Sequence, residues 1–203
     1  MNTQIQAVLD HYHQRIAQEQ KLAREDRGKD WRQQALLAVG PETGQLINIL
    51  ASSLREPVIL EIGTSFGYSG IWLAEAAQRS GGRVISLELH EHKSLYAQER
   101  AREAGLADWI EHRIGDALQL IDALETKVDF VLLDLWKDLY VPSLERFLPK
   151  LNPGAIIVAD NILRPGGEDV QRYQQVVRQT PGISSVLLPV GSGLEISRYE
   201  PPT

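Results

Sequence analysis

The 203-residue sequence contains no cysteine. That absence excludes disulfides, thiolate zinc sites, iron–sulfur clusters and a cysteine nucleophile. Long apolar runs are missing too: no window approaches the ~18 consecutive apolar residues that mark a membrane-spanning helix. The opening segment MNTQIQAVLDHYHQRIAQEQ has no basic stretch followed by an apolar core. It therefore does not read as a signal peptide, and the expectation is a cytoplasmic protein without membrane attachment. Basic residues are in deficit, 21 Lys and Arg against 27 Asp and Glu, for a formal net charge of −6. An acidic chain gains nothing from counterion release on a polyanion, so no nucleic-acid partner is expected. A small substrate or a divalent cation remains compatible with this charge.

What is present alternates. Residues 3–24 form a polar amphipathic pattern with Ile5, Val8, Leu9, Tyr12 and Ile16 at helical spacing. Asp26 to Asp30, around Gly28, reads as a turn, and a second helix is expected from Pro41 to about Leu54. From Pro57 onward short apolar runs alternate with amphipathic stretches. The runs are VILEI (58–62), RVISLE (83–88), WIEHRI (109–114), VDFVLLD (128–134) and GAIIVAD (154–160). Strands alternating with helices indicate βαβ units and a parallel sheet buried on both faces. The tail differs: ISSVLLPV and LEISRYE flank Gly191-Ser192-Gly193 and read as an antiparallel hairpin. The expectation is an α/β chain, Rossmann-like and doubly wound. Its mostly parallel seven-stranded sheet ends in the hairpin and carries extra N-terminal helices. One domain is expected over residues 1–203, with a helical part at 1–55 and the core at 56–203.

In such sheets ligands sit beyond the carboxyl ends of the strands. Here those ends carry Glu61, Glu88, Asp134 and Asp160. Each alone could merely cap the following helix; four along one edge form a cluster that folding does not require. After the first strand the chain continues Glu61-Ile62-Gly63-Thr64-Ser65-Phe66-Gly67-Tyr68-Ser69, a glycine loop opening a helix. It lacks the glycine that a dinucleotide site needs where Ser65 stands, and no Gly-Lys-Ser/Thr follows as in a P-loop. A nucleoside without a pyrophosphate suits it better. Glu88 closes the second strand about 20 residues on, the usual place for a carboxylate that binds ribose hydroxyls.

The stretch LEIGTSFGYSGIWLA resembles the first motif of class I methyltransferases. More narrowly, residues 39–199 resemble the cation-dependent small-molecule O-methyltransferases of the catechol and caffeoyl-coenzyme A type. The resemblance implies S-adenosylmethionine as cofactor. Glu61 and the Gly63 backbone would face its amino acid part, Ser69 its carboxylate, Glu88 its ribose, and Asp116 and Ala117 its adenine; Asp134 also counts among the cofactor-binding residues. LLDLWKDLY (132–140) and VADNIL (158–163) match the family's metal segments, which makes Asp134, Asp160 and Asn161 the ligands of Mg²⁺ or another divalent cation. Two carboxylates and an amide oxygen form a hard, all-oxygen set of the kind such a cation prefers. Lys137 is then the expected catalytic base, against the plainer reading of a solvated lysine. Trp136 and Pro165 match residues that frame the acceptor ring.

One departure is visible. Where the catechol enzymes carry a further carboxylate, this chain reads Ser185-Val186-Leu187-Leu188. The histidines His11, His13, His90, His92 and His112 show no metal spacing and are expected at the surface. The function expected is methyl transfer to a hydroxyl of a catechol-like small molecule, by an enzyme that the family resemblance suggests is a homodimer. Two alternatives stand: the same enzyme class with another acceptor and no working metal site, or a non-catalytic nucleotide-binding module.

Overall fold

The computed structural model describes residues 1–22 and 34–202. The first helix, α1 (Thr3–Leu22), matches the expected one over that span. Its last two expected residues, and the turn expected at 26–30, lie outside the described residues. Helix α2 (Pro41–Ser52) opens with proline at its first position, where the missing N–H is no loss.

The chain then winds through β1 (Val58–Ile62), α3 (Tyr68–Ser80), β2 (Arg83–Glu88), α4 (Glu91–Glu103), β3 (Ile110–Ile114) and α5 (Ala117–Asp122). It continues through β4 (Val128–Leu133), α6 (Tyr140–Phe147), β5 (Leu151–Ala159), α7 (Glu168–Gln179), β6 (Ile183–Leu188) and β7 (Leu194–Tyr199). The seven strands are ordered β3-β2-β1-β4-β5-β7-β6. Strands β1 to β5 run parallel, and β7 runs antiparallel between β5 and β6.

Strand alternation divides the interior into two layers. Ile59, Phe130, Leu132, Ile156 and Val158 point to the face covered by α1, α2, α3 and α4. Leu60, Ile62, Val131, Leu133, Ile157 and Ala159 point to the face covered by α5, α6 and α7. A strand buried on both sides has no polar positions in its middle, which is why FVLL (130–133) and AIIVA (155–159) are unbroken apolar runs, with Asp129 confined to the start of β4. The sheet reverses direction of winding between β1 and β4. Ile62 pairs with Leu87 on one side and Leu133 on the other, and Leu133 pairs with Ala159. That register brings residues 63, 88, 134 and 160 to one edge, at the switch point where ligands bind in this class of sheet.

His112 departs from the expectation of a surface residue. It shares a face of β3 with Ile110, beneath α4, and neither ring nitrogen has a partner. Burial disfavours the imidazolium and pushes its pKa down to about 4. His13 is half-buried as well, its ring 2.9 Å from the Tyr68 hydroxyl.

Candidate active site

The glycine loop fits between β1 and β4 because it must. Gly63 has φ +104°, and a Cβ there would collide with the carbonyl oxygen of Asp134. Only glycine combines that conformation with that approach. Behind the loop, Glu61 is completely buried. It accepts hydrogen bonds from Ser69 Oγ at 2.5 Å and from Ser86 Oγ. Burial raises its pKa to about 7, against the two serine hydrogen bonds that favour the charged form. Both oxygens are engaged inward, so Glu61 fixes the Ser69 hydroxyl at the start of α3.

At the end of β2, Glu88 accepts the Ser65 N–H at 2.7 Å on one oxygen and the His90 N–H at 2.9 Å on the other. Each oxygen keeps a lone pair for a further donor. Gly115 N–H bonds the Glu88 carbonyl, which puts Asp116 and Ala117 along the same edge. The Asp116 carboxylate caps α5 by accepting the Gln119 N–H at 3.0 Å. Helix α1 crosses this region: the Tyr12 hydroxyl donates to the Phe66 carbonyl at 2.6 Å, and the Arg15 guanidinium lies 4.3 Å from the Phe66 ring centre. Ser65 Oγ donates to the Leu36 carbonyl at 3.0 Å, so residues before α2 also close on the loop. Spacing placed Tyr12 on the apolar face of the first helix but not at the glycine loop, and it did not single out Leu36; both contacts depend on long-range packing.

The second constellation lies at the ends of β4 and β5. Lys137, in a short 3₁₀ turn after β4, donates to Asn161 Oδ1 at 2.7 Å, to Tyr140 Oη at 2.7 Å and to Asp134 Oδ1 at 3.3 Å. Tyr140 in turn donates to the Asp160 carbonyl at 2.9 Å. Asp160 is 1% exposed. One of its oxygens accepts the Asn161 N–H at 2.6 Å, while Oδ2 is buried without a partner. Burial, then repulsion from Asp134, drives its pKa well above the carboxylate range. Asn161 holds φ +60°, a left-handed conformation that asparagine tolerates better than most residues. Asp134, Lys137, Asp160 and Asn161, named from the sequence, thus meet in one cluster. Tyr140 was missed, although it lies three residues after Lys137 on the same turn.

The expected acceptor residues flank this cluster. Trp136 is 52% exposed beside Lys137, and Pro165 is exposed on the loop that follows Asn161. The turn between β6 and β7 holds that loop. Ser192 O accepts the N–H groups of Leu163 and Arg164, and Gly193 O accepts that of Ile162. Ser185 donates to Glu195 at 2.6 Å; Glu195, completely buried, is also held by Arg178 and Gln174. The carboxylate in this part of the sheet therefore faces α7.

Among the described residues, no three His, Cys, Asp or Glu side chains gather as a metal site. The cluster has two carboxylates and an amide. The buried, unpartnered Asp160 Oδ2 and the all-oxygen donor set nonetheless fit a hard divalent cation held by Asp134, Asp160 and Asn161.

A family model described as O-methyltransferase matches residues 14–199. The chain is 32% identical to a catechol O-methyltransferase of Mycobacterium tuberculosis over 163 residues, 75% of this chain and 74% of that protein. It is 34% identical to a catechol O-methyltransferase of Niastella koreensis over 134 residues, 64% of this chain but only 60% of that protein's length. Among solved structures, an O-methyltransferase from Bacillus cereus in complex with SAH superposes with TM-score 0.74 and 29% identity, covering 91% of this chain and 97% of that one. TomG from Streptomyces achromogenes in complex with SAM superposes with TM-score 0.75 and 28% identity, over 81% and 82% of the two chains.

Proposed function

Because this chain belongs to the O-methyltransferase family, class I enzymes that draw on S-adenosylmethionine, we propose that it methylates a hydroxyl of a catechol-like small molecule with the aid of a divalent cation such as Mg²⁺. The observation that carries the reading is the buried, unpartnered Asp160 Oδ2 at the strand ends that also present the oxygens of Asp134 and Asn161.

S-adenosylmethionine supplies the methyl group, and the cation, when bound, supplies charge that lowers the pKa of a chelated hydroxyl. The chain's residues do the rest. Ser69, fixed by Glu61, and the Gly63 backbone receive the amino acid end of the cofactor. Glu88 takes the ribose hydroxyls on its free lone pairs, and Asp116 and Ala117 border the adenine. Trp136 and Pro165 frame a flat acceptor ring. Lys137 Nζ, in its neutral amine form after releasing one proton to solvent, would take the acceptor's proton, and Tyr140 holds that nitrogen in place. Most of the acceleration then comes from holding both reactants in register.

A second reading, the same enzyme class without a working metal site, draws on one observation: the Lys137 ammonium already bonds Asp134 and Asn161. Methyl transfer to caffeate or a dihydroxybenzoate, measured with EDTA and after Mg²⁺ is restored, separates the two. Loss in chelator and recovery with Mg²⁺ supports the first; full activity in chelator refutes it and selects the second.

A further inference from the structure

We infer that the ammonium of Lys137 and a divalent cation compete for the same oxygens, and that Tyr140 retains the lysine when the cation takes them. The inference rests on the cation reading proposed above. Lys137 Nζ bonds Asn161 Oδ1 at 2.7 Å and Asp134 Oδ1 at 3.3 Å, two of the three proposed ligand oxygens. A divalent cation would use the same lone pairs at about 2.0–2.6 Å. Two positive charges sharing those oxygens would stand within about 4 Å of each other, where repulsion at a half-buried site is strong. One of them must leave.

The third contact of Lys137 is of another kind. Tyr140 is completely buried, and its ring packs edge-on against Tyr173 at 5.4 Å. Its single hydroxyl hydrogen goes to the Asp160 carbonyl at 2.9 Å, so only lone pairs face Lys137. Tyr140 Oη is no ligand of the proposed site, and its ring cannot follow a moving lysine. When the cation takes Asp134 and Asn161, Tyr140 is the contact of the three that survives. It acts as a positioning residue that keeps the amine beside the reacting hydroxyl, with the partly exposed Lys137 side chain free to swing about it.

The chain therefore weakens its own cation binding through Lys137, and the Tyr140 hydroxyl matters to that binding only while Lys137 is present. The test is Mn²⁺ binding to the full chain, followed by the electron paramagnetic resonance of free Mn²⁺. Four proteins are compared: wild type, Lys137→Met, Tyr140→Phe and the double variant. Lys137→Met should bind Mn²⁺ about ten-fold or more tightly than wild type. Tyr140→Phe should weaken binding when Lys137 is present and leave it unchanged in the Lys137→Met background. Loss of a nearby positive charge alone predicts the first result without the second. Lys137→Gln repeats the comparison with a second neutral side chain. Affinity in Lys137→Met equal to or below wild type overturns the inference, as does a Tyr140→Phe effect that persists without the lysine. In either case the cation reading stands if Asp160→Ala abolishes binding. No Mn²⁺ binding to wild type and Lys137→Met alike overturns both.

Discussion

Replacing Glu61 by Gln tests whether a buried carboxylate beneath the glycine loop sets the chain's pH response. Glu61 is completely buried, and burial lifts its pKa from the ordinary 4.5 to about 7. The folded state therefore holds the proton more tightly than the unfolded state. The sign follows: the group's contribution is most favourable below about pH 4.5 and is lost as pH rises through about 7. At about 1.4 kcal/mol per pH unit of pKa difference, the whole loss is about 3 kcal/mol. Asp160 shifts the same way, and His112, lowered to about 4, acts oppositely between about 4 and 6.5. Only the difference between variant and wild type isolates Glu61. Gln cannot ionise, although its amide must now face a serine that donates to Glu61 in the native chain. The variant should be destabilised most at acid pH and regain about 2–3 kcal/mol relative to wild type between about pH 5 and about pH 8. Urea unfolding of both proteins across that range measures it. A constant difference over the range would refute the assignment of the raised pKa to Glu61.

Glu88→Ala should leave the fold intact and weaken S-adenosylmethionine binding by about 30- to 150-fold, the worth of two hydroxyl bonds to a charged acceptor; isothermal titration reads it directly. Gly63→Ala forces a Cβ onto the Asp134 carbonyl at φ +104°. It should cost about 2 kcal/mol or more in urea unfolding and abolish cofactor binding, and a variant of native stability would contradict the close approach. Lys137→Ala should lower turnover by about 10²- to 10⁴-fold with little change in acceptor binding, and Lys137→Arg should not restore it, because guanidinium does not release its proton in this range. Near-normal turnover of Lys137→Ala at neutral pH would make the lysine a structural counter-charge only.

Periodicity located the strands well because their burial is complete on both faces: VILEI, RVISLE and VDFVLL became β1, β2 and β4 almost to the residue. It was less exact where the chain leaves the sheet plane. Trp109 falls in a short 3₁₀ turn rather than in β3, and β5 starts three residues earlier than GAIIVAD suggested. His112 was set at the surface because it has no metal spacing, although strand alternation puts it on the face of Ile110, opposite Glu111 and Arg113. How deeply α4 covers that face depends on packing that local sequence does not reveal. At the site, the acidic strand ends and the glycine loop could be read because each lies at a fixed place in a βα unit, whereas Lys137 and Asn161 came into view only through the family resemblance. Tyr12, Leu36 and Tyr140 could not, since their contacts are made across tens of residues or through a buried hydroxyl. Asp116 shows a further limit: its cap of α5 is evident in the structure, and the same carboxylate served the sequence as a candidate for the adenine.

The turn between β6 and β7 grips residues 162–164 mainly through peptide groups, with carbonyls of Ser192 and Gly193 receiving their N–H groups. A side-chain hydrogen bond adds to this: the Arg164 guanidinium reaches the Gly191 carbonyl at 2.6 Å. A loop moulded by its main chain keeps its path when its side chains are exchanged. Leu163, half exposed, and Pro165 thus lie on a stretch whose side chains can vary without disturbing the oxygens of Asp160 and Asn161 behind it, and under the function proposed above they would shape acceptor preference. Randomising those two positions while leaving Gly193 untouched should yield folded proteins of altered acceptor preference; Gly193 itself, pressed against the Leu163 backbone and side chain at φ +91°, has no such latitude.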